Sequence, residues 1–225
     1  MISLRRTLAA VAVFVVAAVV FAVLAVAVAQ RAGPLGPDTS ALRDVVDWRS
    51  GGLTFLAKGL TALGTDVAAY SALIVGAMLC AWRKERPLTG VLAIAILLTG
   101  QLVRLGINHE IARPRPPAAL RLVHAGGFSF PSGHTTLATL AYGLLAFLLS
   151  MSFPRYRWIF AAAAAVLAFG VGLSRVYLAV HWTTDVAGGW LLGISWLALA
   201  AVLVSSIPAL AWVTGRAAVP REPVA

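Results

Sequence analysis

Three short polar groups interrupt a strongly apolar chain of 225 residues, and each carries side chains suited to phosphate chemistry. The first is the Arg-Pro-Arg-Pro run at 113–116, and the second is Pro-Ser-Gly-His at 131–134. The third contains Arg175, His181 and Asp185. Together they offer guanidinium groups, a helix start, two imidazoles and a carboxylate, which is the set that metal-free phosphoryl transfer needs.

The arginines are candidate phosphate ligands. Planar guanidinium groups bind phosphate oxygens in bidentate fashion, which favours Arg113, Arg115 and Arg175 as phosphate-binding residues. The prolines between the first two arginines stiffen an extended backbone, so these side chains lose little entropy on binding.

The second group predicts a turn that opens into an apolar helix. Ser132 is a candidate N-cap, and the free backbone N–H groups that follow it can receive phosphate oxygens. Gly133 lacks a side chain that would keep an anion away from this backbone. His134 is the first chemically active side chain of the predicted helix.

The two histidines are candidate catalytic residues. A neutral imidazole can attack phosphorus to form phosphohistidine, and a second imidazolium can protonate the leaving oxygen. If the chain is helical from Trp182 onward, Asp185 shares a face with His181 and holds its tautomer. Each histidine taken alone also fits an interfacial residue without a catalytic role. Because charged residues are costly near lipid, the cluster as a whole favours a functional site.

Composition indicates the elements that must position these residues. The chain is 60% hydrophobic and 12% charged, and its mean hydropathy is +0.90, which predicts an all-α integral membrane protein. The net charge of +10 is best explained by cytoplasmic loop ends and anionic lipid, and not by nucleic acid. The single cysteine, Cys80, excludes an internal disulfide.

Six apolar stretches are long enough to cross a bilayer, which takes about 20 residues. We expect one membrane domain over 1–225, a six-helix bundle with a frayed tail at 216–225. The expected spans are 8–29, 67–82, 88–107, 134–153, 158–180 and 184–205. The first also resembles a secretory signal peptide, although its apolar run is long for one, so we favour a retained helix.

The segment 31–66 between the first two spans predicts an interfacial helical region that need not cross the membrane. Asp38, Thr39 or Ser40 is the expected cap of a helix there.

Positive charges predict the orientation. If six helices alternate, one side collects most of the uncompensated cations and should be cytoplasmic. These are Arg5, Arg6, Arg83, Lys84, Arg86, Arg155, Arg157, Arg216 and Arg221. All three polar groups then open to the opposite side, which predicts a multi-pass protein of the cytoplasmic (inner) membrane whose active site faces the outside.

The three groups resemble the motifs of the type 2 phosphatidic acid phosphatase (PAP2) superfamily, which also contains the vanadium haloperoxidases. The run at 131–134 matches its second motif, and Arg115-Pro116 matches the end of its first. Ser174-Arg175, His181 and Asp185 match its third motif.

The resemblance covers roughly residues 88–205 and implies a metal-independent phosphatase without a cofactor. It implies that His181 is the nucleophile, that Asp185 is its partner and that His134 is the general acid. The residues that it implies hold the phosphate are Arg115, Arg175, Ser132 and Gly133.

One residue departs from the family pattern. The first motif begins with a lysine seven residues before the arginine of Arg115-Pro116, where this chain has Asn108. Loss of that charge would cost about 2 to 4 kcal/mol of transition-state stabilisation. Asn108 can still donate a hydrogen bond, and Arg104 or His109 is a candidate substitute for the cation.

Two further residues have open roles. Arg121 is a candidate ligand for a second phosphate or a plain surface charge. His124 is a candidate gate over the site, or an exposed loop histidine.

We expect hydrolysis of a lipid phosphate or diphosphate at the outer membrane face, with membrane lipids as surroundings. The resemblance places undecaprenyl diphosphate first among substrates, followed by phosphatidylglycerol phosphate and phosphatidic acid. The alternatives are a noncatalytic or weakly active lipid-phosphate binder or transporter and, ranked lower, a vanadate-dependent haloperoxidase. The motifs carry no information on oligomeric state.

Overall fold

A computed structural model describes residues 2–31, 33–84 and 87–206. In these ranges the chain forms eight α-helices and two single 3-10 turns, without strands. The helices are α1 (Ile2–Arg31), α2 (Gly36–Asp47), α3 (Gly51–Leu63), α4 (Asp66–Lys84), α5 (Pro87–Ile111), α6 (Gly133–Ser152), α7 (Arg157–Tyr177) and α8 (Thr183–Ser206). The expected tail at 216–225 and the cations Arg86, Arg216 and Arg221 lie outside the described residues.

Among the described residues, six helices are long and apolar enough to cross a membrane, namely α1 and α4 to α8. The prediction of an all-α membrane protein with six spanning helices is therefore confirmed. The two remaining helices, α2 and α3, have 12 and 13 residues and lie between the first two spans. Four large apolar side chains of α3 are exposed, Leu53, Phe55, Leu56 and Leu63, and so is Trp48 directly after α2, as an interfacial segment requires.

The main apolar core lies between α4, α5 and α6. Its largest fully buried members are Leu73, Leu97, Leu137, Leu140 and Leu148, and Trp196 of α8 packs against this cluster. Cys80 is buried in the same cluster.

Helices α6 and α8 approach closely because α8 has glycines at the contact. A methyl group added at Gly189 would lie 2.8 Å from Cβ of Thr135, and one at Gly193 would lie 2.7 Å from Cβ of Thr139. This packing brings the start of α8 to the start of α6, where the N–H of Ser132 donates to the carbonyl of Asp185 at 3.0 Å.

Helix α7 ends at Tyr177, three residues before the expected end of the fifth span. Ala179 has a left-handed backbone with φ 52°, and its N–H donates to the carbonyl of Val176. The next N–H, of Val180, donates to the carbonyl of Arg175, which completes a Schellman-type helix end. The chain therefore turns sharply just before His181.

Helix α2 begins before its expected cap. Leu35 occupies the cap position, and Asp38 in the first turn accepts a hydrogen bond from the N–H of Leu35 at 2.9 Å. The prediction that Asp38, Thr39 or Ser40 caps this helix is therefore wrong. Asp38 is buried, and its carboxylate also makes contacts outside helix α2.

The order of the helices collects the polar groups at one end of the bundle. Since α5 to α8 alternate in direction, the ends of α5 and α7 lie beside the starts of α6 and α8. The short 3-10 turn Pro154–Tyr156 lies at the opposite end, between α6 and α7.

Candidate active site

A polar cavity of about 320 Å³ opens at the end of the bundle where these helices meet. The residues that line it come from all three polar groups, from α5 and from the loop at 124–128. They are Arg104, Asn108, Arg115, His124, Ala125, Gly126, Gly127, Phe128, Gly133, His134, Arg175 and His181. Both histidines predicted to be catalytic thus share one cavity.

His181 is held from both sides of its ring. Nη1 of Arg115 lies 2.9 Å from Nε2, while Nδ1 lies 3.5 Å from Oδ2 of Asp185 and 3.4 Å from Oγ of Ser129. Because guanidinium groups only donate, Nε2 must accept and the ring proton must sit on Nδ1. The lone pair of Nε2 therefore points toward the guanidinium of Arg115, which lines the cavity.

The environment keeps His181 neutral. Burial lowers the pKa of His181 to about 4, and the positive charge of Arg115 adds to this effect, although the hydrogen bond to Asp185 opposes it. A neutral imidazole is the form that a nucleophile requires.

Asp185 reaches His181 by a different route from the one expected. Helix α8 begins at Thr183, so His181 precedes the helix and the prediction of a shared helix face is wrong. The contact forms because the Asp185 carboxylate folds back over the helix start and accepts the N–H of Trp182 at 2.8 Å. The hydroxyl of Ser129 also donates to this carboxylate.

Arg113 does not line the cavity. Its side chain is buried behind Asp185, and its guanidinium pairs with Asp185 at 2.5 Å and with Asp38 at 2.7 Å. It also donates to the carbonyl of Gly33 and to Thr184. In this position Arg113 holds Asp185, the partner of His181, in place. The sequence had instead indicated that Arg113 is a phosphate ligand.

Asp38 joins the interfacial segment to this network. Its carboxylate accepts from the N–H and the hydroxyl of Thr184, each at 2.9 Å, as well as from Arg113. All three side chains that form the ion pairs, Asp38, Arg113 and Asp185, are fully buried. The segment between the first two spans therefore contacts the buried residues that hold Asp185 in place.

The two other predicted arginines face the cavity and are held by neutral acceptors. Arg115 donates to the carbonyls of Gly126, Gly127 and Val180. Arg175 donates to the hydroxyl of Thr61 at 2.7 Å, and its Nε is buried without a partner among the described residues. No carboxylate of the described ranges forms an ion pair with either guanidinium, so these two positive charges are not neutralised there.

The start of α6 borders the cavity through Gly133 and His134. Ser132 occupies the N-cap position, but its side chain makes no cap hydrogen bond and accepts from the hydroxyl of Thr135 at 2.9 Å. Ser132 is fully buried, so it lies behind the cavity wall and not on its surface.

Asn108 lines the cavity, as the position of the expected lysine would. Its amide donates to the carbonyl of Phe130 at 2.9 Å. Arg104, one turn earlier on α5, also lines the cavity. His109 is exposed and packs edge-on against Phe128, with the ring centroids 5.7 Å apart.

The loop over the site contains the two residues with open roles. Arg121 donates to the carbonyls of Pro116 and Ala125, so its guanidinium braces its own loop. His124 is exposed and lines the cavity.

Sequence reasoning missed three supporting residues, Asp38, Ser129 and Thr61. Asp38 is 75 positions from Arg113, and no spacing rule links such residues. The available signal was one of charge balance, because an arginine that is buried needs a carboxylate partner.

Comparisons with known proteins agree with this geometry. The sequence profile of the PAP2 superfamily matches residues 87–207. Phosphatidylglycerophosphatase B of Bacillus subtilis is 37% identical over 140 residues, which are 60% of this chain and 68% of that protein. An undecaprenyl-diphosphatase of Sulfolobus acidocaldarius is 32% identical over 59% of this chain and 62% of its own.

A solved structure has the same fold. The crystal structure of a transmembrane PAP2-type phosphatidylglycerolphosphate phosphatase from Bacillus subtilis superposes with a TM-score of 0.78 at 29% identity. The superposition covers 86% of this chain and 96% of that one. The motifs, the profile and the shared fold lead to one conclusion: this chain belongs to the PAP2 superfamily and is a membrane-embedded lipid phosphatase.

Proposed function

We propose that this protein hydrolyses a lipid phosphate or diphosphate through a phosphohistidine on His181, at the outer face of the cytoplasmic membrane. One contact supports the proposal above all others, the hydrogen bond of 2.9 Å from Arg115 to Nε2 of His181. A phosphate drawn to this guanidinium arrives directly at the lone pair of a neutral imidazole.

In the proposed reaction, Nε2 of His181 attacks phosphorus and forms a P–N bond while the bond from phosphorus to the leaving oxygen breaks. His134 gives its proton to that oxygen, since the negative charge of the bound phosphate favours the imidazolium form. Asp185 keeps the proton of His181 on Nδ1 and stabilises the charge that the ring gains. Water then attacks phosphorus, His134 takes the proton of the water, the P–N bond to Nε2 of His181 breaks, and inorganic phosphate leaves.

The leading substrate in this proposal is undecaprenyl diphosphate, followed by phosphatidylglycerol phosphate and phosphatidic acid. The names of the relatives support lipid phosphates of both kinds. The cavity is lined by polar groups and has room for a phosphorylated head, whereas the exposed apolar sides of the helices suit a tail that remains in the bilayer. In this chain Arg121 is engaged by its own loop, so recognition centres on one phosphate.

A phosphate-release assay on purified protein tests the proposal. Wild type in detergent is offered undecaprenyl diphosphate, phosphatidylglycerol phosphate and phosphatidic acid, with chelator present. His181→Ala should reduce release by about 10⁴-fold or more, because the nucleophile is lost. Lys58→Ala, an exposed change outside the cavity, is the matched control and should be unaffected. Wild type as inert as His181→Ala would favour a noncatalytic lipid-phosphate binder.

The covalent step has its own test. Rapid quenching of wild type with labelled substrate should trap a phosphoenzyme that is stable to base and labile to acid, as a P–N bond is. His181→Ala should trap none. Steady turnover of wild type without any trapped phosphoenzyme would contradict the phosphohistidine route.

Labelling tests the orientation. In a Cys80→Ser background, a cysteine is introduced at exposed Ala119 of the candidate-site loop or at exposed Tyr156 of the opposite end. Ala119→Cys should react with an impermeant maleimide in intact cells, whereas Tyr156→Cys should react only after lysis. The reverse pattern would place the site at the cytoplasmic face.

A further inference from the structure

One arginine of helix α5 lines the cavity, although the family resemblance assigns no role to it. Arg104 and Asn108 are four residues apart on this helix, so they share a face, and both line the cavity. The amide of Asn108 is occupied by the carbonyl of Phe130 and carries no charge. The position of the expected lysine therefore contributes no cation to the cavity.

We propose that Arg104 supplies this cation and is a phosphate-binding catalytic residue of the site. The inference rests on the proposed function, since it names a further group that holds the transferred phosphate. The guanidinium replaces the missing ammonium from one helical turn earlier.

The place of the Arg104 side chain supports the assignment. A methyl group added at Gly133 would lie 3.4 Å from Nη1 of Arg104 and 3.5 Å from its Cζ. The guanidinium thus lies over the start of α6, next to His134 and to the N–H groups of the first turn. A phosphate at this helix start would contact the backbone donors and the guanidinium together.

No carboxylate among the described residues neutralises the positive charge of Arg104. Among the described residues it forms no ion pair, in contrast to Arg113, and its Nε is buried without a hydrogen-bond partner. Asp66 and Tyr70 act on it only through longer-range electrostatics. A largely buried cation in a membrane helix is costly unless an anion compensates it, and a phosphate in the cavity would do so.

The geometry also separates Arg104 from the other candidate. His109 is adjacent to Asn108 in sequence, yet its ring is exposed and packs against Phe128, and His109 itself does not line the cavity. An arginine is longer than a lysine and presents a planar pair of donors, so it can reach the phosphate from a more distant Cα.

The test compares charge at 104 with charge at 108. The variants are Arg104→Gln, Arg104→Lys, Asn108→Lys and the double change Arg104→Gln/Asn108→Lys. Each is assayed for kcat/KM with phosphatidic acid and for inhibition by orthovanadate. Arg43→Ala removes an exposed cation of α2 and controls for general attraction of the anionic substrate.

We expect Arg104→Gln to lower kcat/KM by about 10²- to 10³-fold and to weaken orthovanadate inhibition, as loss of a transition-state donor does. Arg104→Lys should lose less activity than Arg104→Gln, since the charge remains, although the shorter side chain lacks the planar pair of donors. Asn108→Lys should recover at least about tenfold in the Arg104→Gln background, yet add little to wild type, where the cation is already present.

Arg104→Gln within about threefold of wild type would overturn the inference and leave the phosphatase proposal intact. Equal gains from Asn108→Lys with and without Arg104 would overturn it too, because the two positions would then act independently. If Arg104→Gln does not fold, an inactive but folded Arg104→Lys that Asn108→Lys fails to rescue would count against it. An inert wild type would instead reject the proposed function.

Discussion

Two arginines of the Arg-Pro-Arg-Pro run lie on opposite sides of the pair formed by His181 and Asp185. Arg113 lies behind the pair, where two buried carboxylates neutralise it. Arg115 lies in front of the pair, where carbonyl oxygens and the imidazole of His181 hold it in place without cancelling its charge. The partners therefore decide the role: a neutralised guanidinium supports the structure, and an uncompensated one can bind a phosphate.

The largest expected effect comes from removing Arg113, the buried guanidinium that holds Asp185 in place. Arg113→Ala leaves Asp38 and Asp185 buried without their cation, which should destabilise the fold by about 3–5 kcal/mol. The measurement is thermal unfolding in detergent for Arg113→Ala and Arg115→Ala side by side. An equal loss of melting temperature in both variants would contradict the division between the two arginines.

Removing the cavity cation should affect chemistry more than stability. Arg115→Ala should lower kcat/KM for lipid phosphate by about 10²- to 10³-fold, because a donor at the reacting phosphate is lost. Its melting temperature should stay closer to that of wild type than that of Arg113→Ala. A folded Arg115→Ala with near wild-type turnover would show that the guanidinium does not contact the substrate.

Asp38 tests how far the support extends. Asp38→Asn keeps the shape but removes the ion pair with Arg113, so kcat should fall by about 10- to 100-fold through misplacement of Asp185 and His181. KM should change little, because no cavity residue is altered. Asp44→Asn, an exposed change on the same helix, is the control. A rise in KM with unchanged kcat would argue against a positioning role.

The smallest effect concerns pH. Burial lowers the pKa of His181 from 6.5 to about 4, so the folded protein binds fewer protons at this ring than the unfolded chain does. Stability should therefore be lost as the pH falls from about 6.5 toward 4. His181→Gln should remove this part, so its melting temperature should fall by a few degrees less than that of wild type over the same range. Parallel curves would mean that the ring is not held neutral by the fold.

Much of this architecture was predictable from sequence, for physical reasons. A bilayer demands long apolar helices, so the spans are visible as apolar runs, and polar residues at their ends are conspicuous because they are costly there. Because helices α5 to α8 alternate in direction, the polar groups were expected to meet at one end of the bundle. The resemblance to known motifs then indicated the chemistry at His134 and His181.

The division between Arg113 and Arg115 was not predictable. Both have the same type and neighbouring prolines, and the carboxylate that distinguishes them, Asp38, is far away in sequence. The route of Asp185 to His181 was also hidden, because Ala179 ends α7 with a left-handed backbone that sequence patterns assign to glycine. Such features depend on tertiary contacts and not on local propensity.

The hydrogen bonds of Asp185 have a consequence for local motion. Its carbonyl receives the amide hydrogen of Ser132, its carboxylate receives that of Trp182, and Asp38 beside it receives that of Thr184. Backbone amides from two parts of the chain, Ser132 on one side and Trp182 and Thr184 on the other, are thus protected by two buried residues, Asp185 and Asp38. Their hydrogen exchange should occur in a single cooperative opening, so the candidate site unfolds as a unit and not helix by helix.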